Sequence, residues 1–132
     1  MILIADDDPD DRYLISRAFK DILLPEKLQF VENGNQLVNY LENNLNDDEL
    51  PGLIVLDLNM PVMDGIETLK HLKSQPRYKD IPVVIFSTSR NPSEAILVRE
   101  LGAADFIIKP TSYTEVKAAV KLLHSFSGPK PG

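Results

Sequence analysis

Four short apolar runs in this chain are each followed at once by residues that can do chemistry. Asp6-Asp7-Asp8 follows Ile2–Ala5, Asp57 follows Leu53–Leu56, Ser87-Thr88-Ser89 follows Val83–Phe86, and Lys109-Pro110 follows Phe106–Ile108. If these runs end on one rim of the molecule, Asp6, Asp7 and Asp57 come close together. Two unit charges of like sign at 4 Å repel by about 4 kcal/mol at an effective dielectric of 20. Such a cluster requires a cation. An all-oxygen carboxylate set suits a hard divalent ion, and Mg2+ is the usual ion beside a bound phosphoryl group, with Mn2+ as a substitute. Lys109 would neutralise part of the remaining charge.

Taken singly, each feature has an ordinary reading. An acidic triplet before a helix caps it and is favoured by the helix dipole. An aspartate or a run of hydroxyl residues at a strand end is common turn chemistry. A lysine before proline is usually a surface residue. Their joint placement, on four successive apolar runs, outweighs the separate readings.

Elements must exist that bring the four ends together. Besides the runs above, Leu28–Val31 forms a fifth, and it ends near Glu32-Asn33 with nothing distinctive. Three or four consecutive apolar residues without alternation predict strands buried on both faces, as in a parallel sheet. Each intervening segment carries a helix start. Asp8 precedes Pro9, and Asn33, Asp64, Asn91 and Ser112 each stand three residues before Gln36, Glu67, Glu94 and Glu115, the spacing of a capping box. Gly102 and Gly128-Pro129 supply stops. In the last helix Val116, Ala119, Val120 and Leu123 make the core face, with Ala118, Leu122 and Phe126 as a second apolar line. Strand–helix alternation repeated five times predicts a flavodoxin-like doubly wound α/β sandwich, with strand order 2-1-3-4-5 and helices on both faces. Ligands of such sheets bind outside the carboxyl ends of the strands.

Composition narrows the classes. The 132 residues fit one domain, taken as 1–127 with 128–132 as a short tail, and 43% apolar content is enough for a core. No apolar run approaches a membrane span, and no secretory leader is evident. The absence of cysteine removes disulfides and thiolate sites and fits a cytoplasmic protein. A net charge of −6 disfavours nucleic acid as a partner and favours a basic patch on a protein.

The residues gathered on the predicted rim resemble those of response-regulator receiver domains, the phospho-accepting modules of two-component signalling. The resemblance runs from "ILIADDDPDD" to the last helix and includes the acidic pair, "LDLNMPVMDG", a hydroxyl residue and "KP". It implies Asp57 as the phosphorylation site, metal bound by Asp7, Asp6 and Asp57 with the backbone carbonyl of Asn59, and Asp57 and Lys109 as the catalytic pair. It also implies Ser87 as the switch hydroxyl, Lys109 as the phosphate contact and Phe106 as the aromatic switch. Ser87 stands where threonine is more usual. Thr88 stands where a small alanine is common, so it could crowd the phosphate. "NDDELPG" and "HLKSQPRYKDIPVVIFSTS" are similar to small stand-alone receivers paired with phytochrome-like histidine kinases.

On this resemblance a histidine kinase or phosphotransfer protein donates the phosphoryl group. Phe106 then turns from solvent inward, and the face of helix 4, strand 5 and helix 5 contacts a downstream protein or forms a homodimer. The module is then a phospho-acceptor that assists its own phosphotransfer and autodephosphorylation, not an enzyme acting on other substrates. Three other readings compete, one of which keeps the fold as an unphosphorylated docking module, against which the complete residue set argues. A haloacid-dehalogenase-like phosphatase would also use Asp57 as nucleophile, but it expects a second aspartate where Asn59 stands. A flavodoxin-like FMN module would need a glycine- and hydroxyl-rich loop where Asp6-Asp7-Asp8 would repel phosphate. His71 and His124 read as solvated helix residues.

Overall fold

The computed structural model describes residues 1–127. Strands β1 (Ile2–Ala5), β2 (Leu28–Val31), β3 (Leu53–Leu56), β4 (Val83–Ser87) and β5 (Asp105–Ile108) form one parallel sheet in the order β2-β1-β3-β4-β5. Between and after them run α1 (Pro9–Asp21), α2 (Gly34–Asn44), α3 (Gly65–Ser74), α4 (Pro92–Glu100) and α5 (Tyr113–Phe126). The predicted fold class is thus observed. The runs at β1, β2 and β3 keep their predicted bounds, β4 gains Ser87 and β5 gains Asp105. The expected stop at Gly128-Pro129 and the tail 128–132 lie outside the described residues.

The unalternating strands are buried on both sides because each pleat face has its own core. Leu3, Ala5, Ile54, Leu56, Val83 and Ile85 meet Leu37, Leu41, Leu69, Leu72 and Val98 of α2, α3 and α4. The intervening residues Ile2, Ile4, Leu53, Val55, Val84 and Phe86 meet Ile15, Ala18 and Phe19 of α1 and the predicted Val116, Ala119, Val120 and Leu123 of α5. The second line on α5 is not part of that core stripe along its length. Ala118 and Leu122 are exposed, and only Phe126 packs partly on the core.

The five N-caps form at the predicted residues. At none of the four predicted capping boxes does the third-position side chain accept from the N-cap N–H, and at two of them it takes another donor. Gln36 accepts from the N–H of Glu32, not Asn33, and Asn91 caps Ser93 N–H while Glu94 accepts from the Ser89 hydroxyl. The long segment before β3 closes into a 3-10 turn, Asp47–Glu49, clamped by Arg77, which donates to Asp47 at 2.7 Å and to the Leu45 carbonyl at 2.8 Å.

Sheet register sets the rim. Ala5 pairs with Leu56, and Asp57 N–H donates to the Ala5 carbonyl, so Asp6 and Asp57 leave adjacent strands at one level. Ser87 pairs with Ile108, and Lys109 N–H donates to the Ser87 carbonyl. Glycine is required at residue 65: a Cβ there would overlap the Asp57 carbonyl oxygen, and Gly65 N–H donates to the Leu58 carbonyl. The start of α3 therefore lies directly against the end of β3, which fixes the backbone that carries Asp57.

Candidate functional site

The order of the strands reverses between β1 and β3, where crossovers lead away in opposite directions and leave a crevice. Five polar residues are buried in the described chain: Asp6, Asp57, Thr68, Ser87 and Lys109. Thr68 is accounted for locally, since its hydroxyl donates to the Asp64 carbonyl at 2.7 Å. The other four stand at the ends of β1, β3, β4 and β5. Burial of polar groups at such density needs a physical reason.

Lys109 is the hub. Its Nζ donates to Asp57 Oδ2 at 2.8 Å and to Asp11 Oδ2 at 2.7 Å, and Asp6 Oδ2 lies 2.8 Å away. Burial by itself would lower the lysine pKa. The bonds to Asp11, Asp57 and Asp6 outweigh it and raise the ammonium above its ordinary range. Asp6 shifts up as well. Its burial disfavours the carboxylate more than Lys109 and the Asp8 N–H favour it, and the charge of Asp57 adds to the rise. The two shifts share a direction but not a cause: burial raises Asp6, and carboxylate hydrogen bonds that outweigh burial raise Lys109.

One carboxylate oxygen from each of Asp6, Asp7 and Asp57 lies within 4.8 Å of the others. Asp7 is exposed beside its two buried neighbours, so the cluster opens to solvent. A donor set made only of carboxylate oxygens, with an open side for waters, fits a hard divalent ion. Asn59 stands next to this group and its N–H donates to Asp57 Oδ1 at 3.3 Å.

The remaining predicted residues fall as follows. Ser87 is fully buried, and its Oγ accepts from Ser89 N–H at 3.2 Å. Thr88 is exposed. Phe106 is half-buried and packs on the core shared by α2, α3 and α4, so it does not stand in solvent as expected. Nor are the histidines simply solvated. His71 buries Nε2 without a hydrogen-bond partner, and His124 Nε2 lies 3.7 Å from Glu26, which also pairs with the N-terminal ammonium of Met1 at the far end of β1.

Sequence reasoning missed Asp11 and Arg12. Arg12 donates to the Asp6 main-chain carbonyl at 2.7 Å and so ties α1 to the end of β1. Asp11 had a signal available: it is an acid in the first turn of α1, just after the acidic end of β1. Its place in a run of first-turn acids concealed it.

A family model described as the response regulator receiver domain matches residues 2–121. This chain belongs to the response regulator receiver domain family. The response regulator Rcp1 of Synechocystis is 30% identical to this receiver over 128 residues, covering 96% of the chain and 87% of Rcp1. The crystal structure of the Mn2+-bound form of Rcp1 superposes with a TM-score of 0.84 at 29% identity, over 99% of this chain and 98% of that one. The phosphorylated cyanobacterial phytochrome response regulator RcpA gives a TM-score of 0.83 at 32% identity, over 95% and 91% of the two chains. The receiver is thus a signalling module of two-component systems, with an acidic cluster suited to a divalent ion. No helix among its described residues is long and apolar enough to cross a membrane.

Proposed function

We propose that this receiver is a phosphorylation-driven switch whose acceptor is Asp57. The donor is a phosphohistidine of a histidine kinase or phosphotransfer protein. An ionised Asp57 oxygen attacks phosphorus in line, an oxygen–phosphorus bond forms, the phosphorus–nitrogen bond breaks, and its electron pair returns to the imidazole. Lys109 passes from Asp57 Oδ2 to a phosphoryl oxygen. Little covalent work is asked of the protein, and positioning with charge compensation supplies most of the acceleration. A Mg2+ or Mn2+ ion held by Asp6, Asp7, Asp57 and the Asn59 carbonyl would add positive charge against the phosphoryl oxygens. Water attack on phosphorus later breaks the same oxygen–phosphorus bond, restoring Asp57 and releasing phosphate.

The switch follows from the hydroxyl at the end of β4. Ser87 exchanges its bond from Ser89 N–H for donation to a phosphoryl oxygen, and Phe106 moves further in beside it. Exposed Thr88 flanks the approach and tunes phosphoryl lifetime. The output surface is α4, β5 and α5, where Ile96, Leu97, Ile108 and Leu122 remain in solvent. A downstream protein, or a second copy, docks there when the phosphorylated state is populated. Moving a two-state balance from 1:99 to 99:1 takes about 5.5 kcal/mol, within reach of a few charge-assisted bonds.

The observation that carries this reading is the shared contact of Lys109 with Asp57 and Asp6 on the acidic rim. The test is incubation with acetyl phosphate and Mg2+ followed by intact mass. One added phosphoryl group in the parent, and none in Asp57→Asn, is expected. No addition, or an equal addition in the variant, overturns it.

A further inference from the structure

Lys109 has three carboxylate partners, and phosphorylation at Asp57 would claim two of them. Asp57 Oδ2 gives up the ammonium as the phosphoryl oxygens arrive, and Asp6 belongs to the metal cluster. The third, Asp11, lies 2.7 Å from Lys109 Nζ and stands outside that cluster. Lys109 and Asp11 border a small hollow whose other walls are Leu14, Ile15, Phe86, Pro110 and Val116. The side chains of those five offer an ammonium no acceptor, so Asp11 is the one lining residue whose side chain can hold it.

We propose that Asp11 is the positioning residue for Lys109, keeping the ammonium at the rim once Asp57 and Asp6 are otherwise engaged. This role rests on the phospho-acceptor reading above. Asp11 is partly exposed, with 30% of its side chain accessible, and belongs to the first turn of α1. Rotation of α1 against the sheet therefore sets where Lys109 sits, and Arg12, bonded to the Asp6 carbonyl, fixes that rotation. The two helix residues together couple α1 to the reacting end of β5.

A purely electrostatic role for Asp11 predicts the opposite sign from a positioning role. Removing a negative charge beside the site should ease entry of an anionic phosphodonor and speed transfer. Losing the anchor of Lys109 should slow the maximal rate, by an amount on the order of tenfold. The experiment follows acetyl phosphate transfer to Asp57 at saturating Mg2+ over a range of donor concentrations, in the parent, Asp11→Asn, Asp11→Ser and Asp11→Glu. Asp10→Asn removes the same charge one residue away, on an exposed position. A second readout is the Lys109 ammonium resonance by NMR in the Mg2+-loaded protein.

The expected result is a lower maximal rate in Asp11→Asn and Asp11→Ser with little change in half-saturating donor. Their Lys109 signal is lost to exchange, Asp11→Glu recovers both, and Asp10→Asn resembles the parent. A rate in Asp11→Asn and Asp11→Ser equal to or above that of Asp10→Asn, or a Lys109 signal unchanged in them, overturns the positioning role. A parent that takes no phosphoryl group would overturn the function itself. A parent that is phosphorylated, with Asp11→Asn and Asp11→Ser as fast as Asp10→Asn, would overturn only this inference.

Discussion

Lys109 and Asp57, 52 positions apart in the chain, meet through a 2.8 Å bond in which both partners are buried. Removing the cation leaves Asp6 and Asp57 uncompensated in a low-dielectric site. Lys109→Ala should therefore destabilise the fold by about 3 kcal/mol. Added Mg2+ should recover part of that loss, because a divalent ion on the same carboxylates replaces the missing positive charge. Urea unfolding with and without Mg2+ reads both effects. A loss that Mg2+ leaves untouched would mean that Lys109 stabilises by packing alone.

Asp6 carries a pKa raised above its ordinary value of 3.8, chiefly through burial. Its ionisation is thus less favourable in the folded chain than in the unfolded one. The sign follows: as pH rises past the unfolded value and through the folded one, Asp6 subtracts from stability. Asp6→Asn should stabilise the metal-free protein at neutral pH, the sign that a raised folded-state pKa dictates. The parent should gain stability with Mg2+, by about 2.7 kcal/mol at a hundredfold excess over Kd, and the variant much less. Divalent ion affinity should also weaken on acidification at pH values above 3.8. Melting curves against pH and Mg2+ check all three.

Lys109 runs the other way. Its pKa is raised, so its contribution is complete below the unfolded value of 10.5 and declines only as pH climbs above that value through the folded one. Between pH 7 and 10 the Lys109 contribution should be flat. Double-mutant comparison of parent, Lys109→Met and the same pair lacking Asp57 measures it, and a decline below pH 10 would contradict the arrangement.

Val62 follows Met60-Pro61 in the turn after β3 with φ of +69°, a left-handed conformation costly for a β-branched side chain, and it is 77% exposed. The Met63 N–H donates to the Pro61 carbonyl across it at 2.9 Å, but the exposed side chain gains little packing to repay the strain. Val62→Gly should stabilise the protein by about 0.5 to 1 kcal/mol after the extra chain entropy of glycine is counted. Val62→Ala should give less. Equal stability for all three would mean that the turn adapts in solution.

Gly65→Ala should have the reverse effect. Its methyl group would meet the Asp57 carbonyl and the Leu58 backbone, neither of which can yield without moving the acceptor. A destabilisation of about 2 kcal/mol and a large fall in acetyl phosphate labelling of Asp57 are expected. Normal labelling in a destabilised variant would separate the packing role from the positioning of Asp57.

Much of the architecture was legible because its causes are local. The bounds of β1, β2 and β3 and all five N-cap residues depend on runs of apolar side chains and on side-chain bonds spanning two or three residues. The core face of α5 follows from helical periodicity in the same way. The chemistry at the strand ends was legible one step further, since a parallel sheet must bring those ends to one edge. What failed was finer detail, some of it local and some of it decided by neighbours distant in sequence. Gln36 caps Glu32 and Asn91 caps Ser93, partners four and two residues away that the three-residue spacing did not single out. Phe106 is half-covered because the core between the sheet and α2, α3 and α4 reaches it.

The sequence by itself determined that acidic, hydroxyl and lysine side chains leave four strands of one doubly wound sheet. Only the tertiary structure decided how the single ammonium is shared. Asp11 lies 98 positions from Lys109, and nothing in either local pattern says that α1 docks with that carboxylate turned to the end of β5. Such a contact is set by how helices rotate and pack against the sheet, a sum over many side chains that no short stretch of the chain contains.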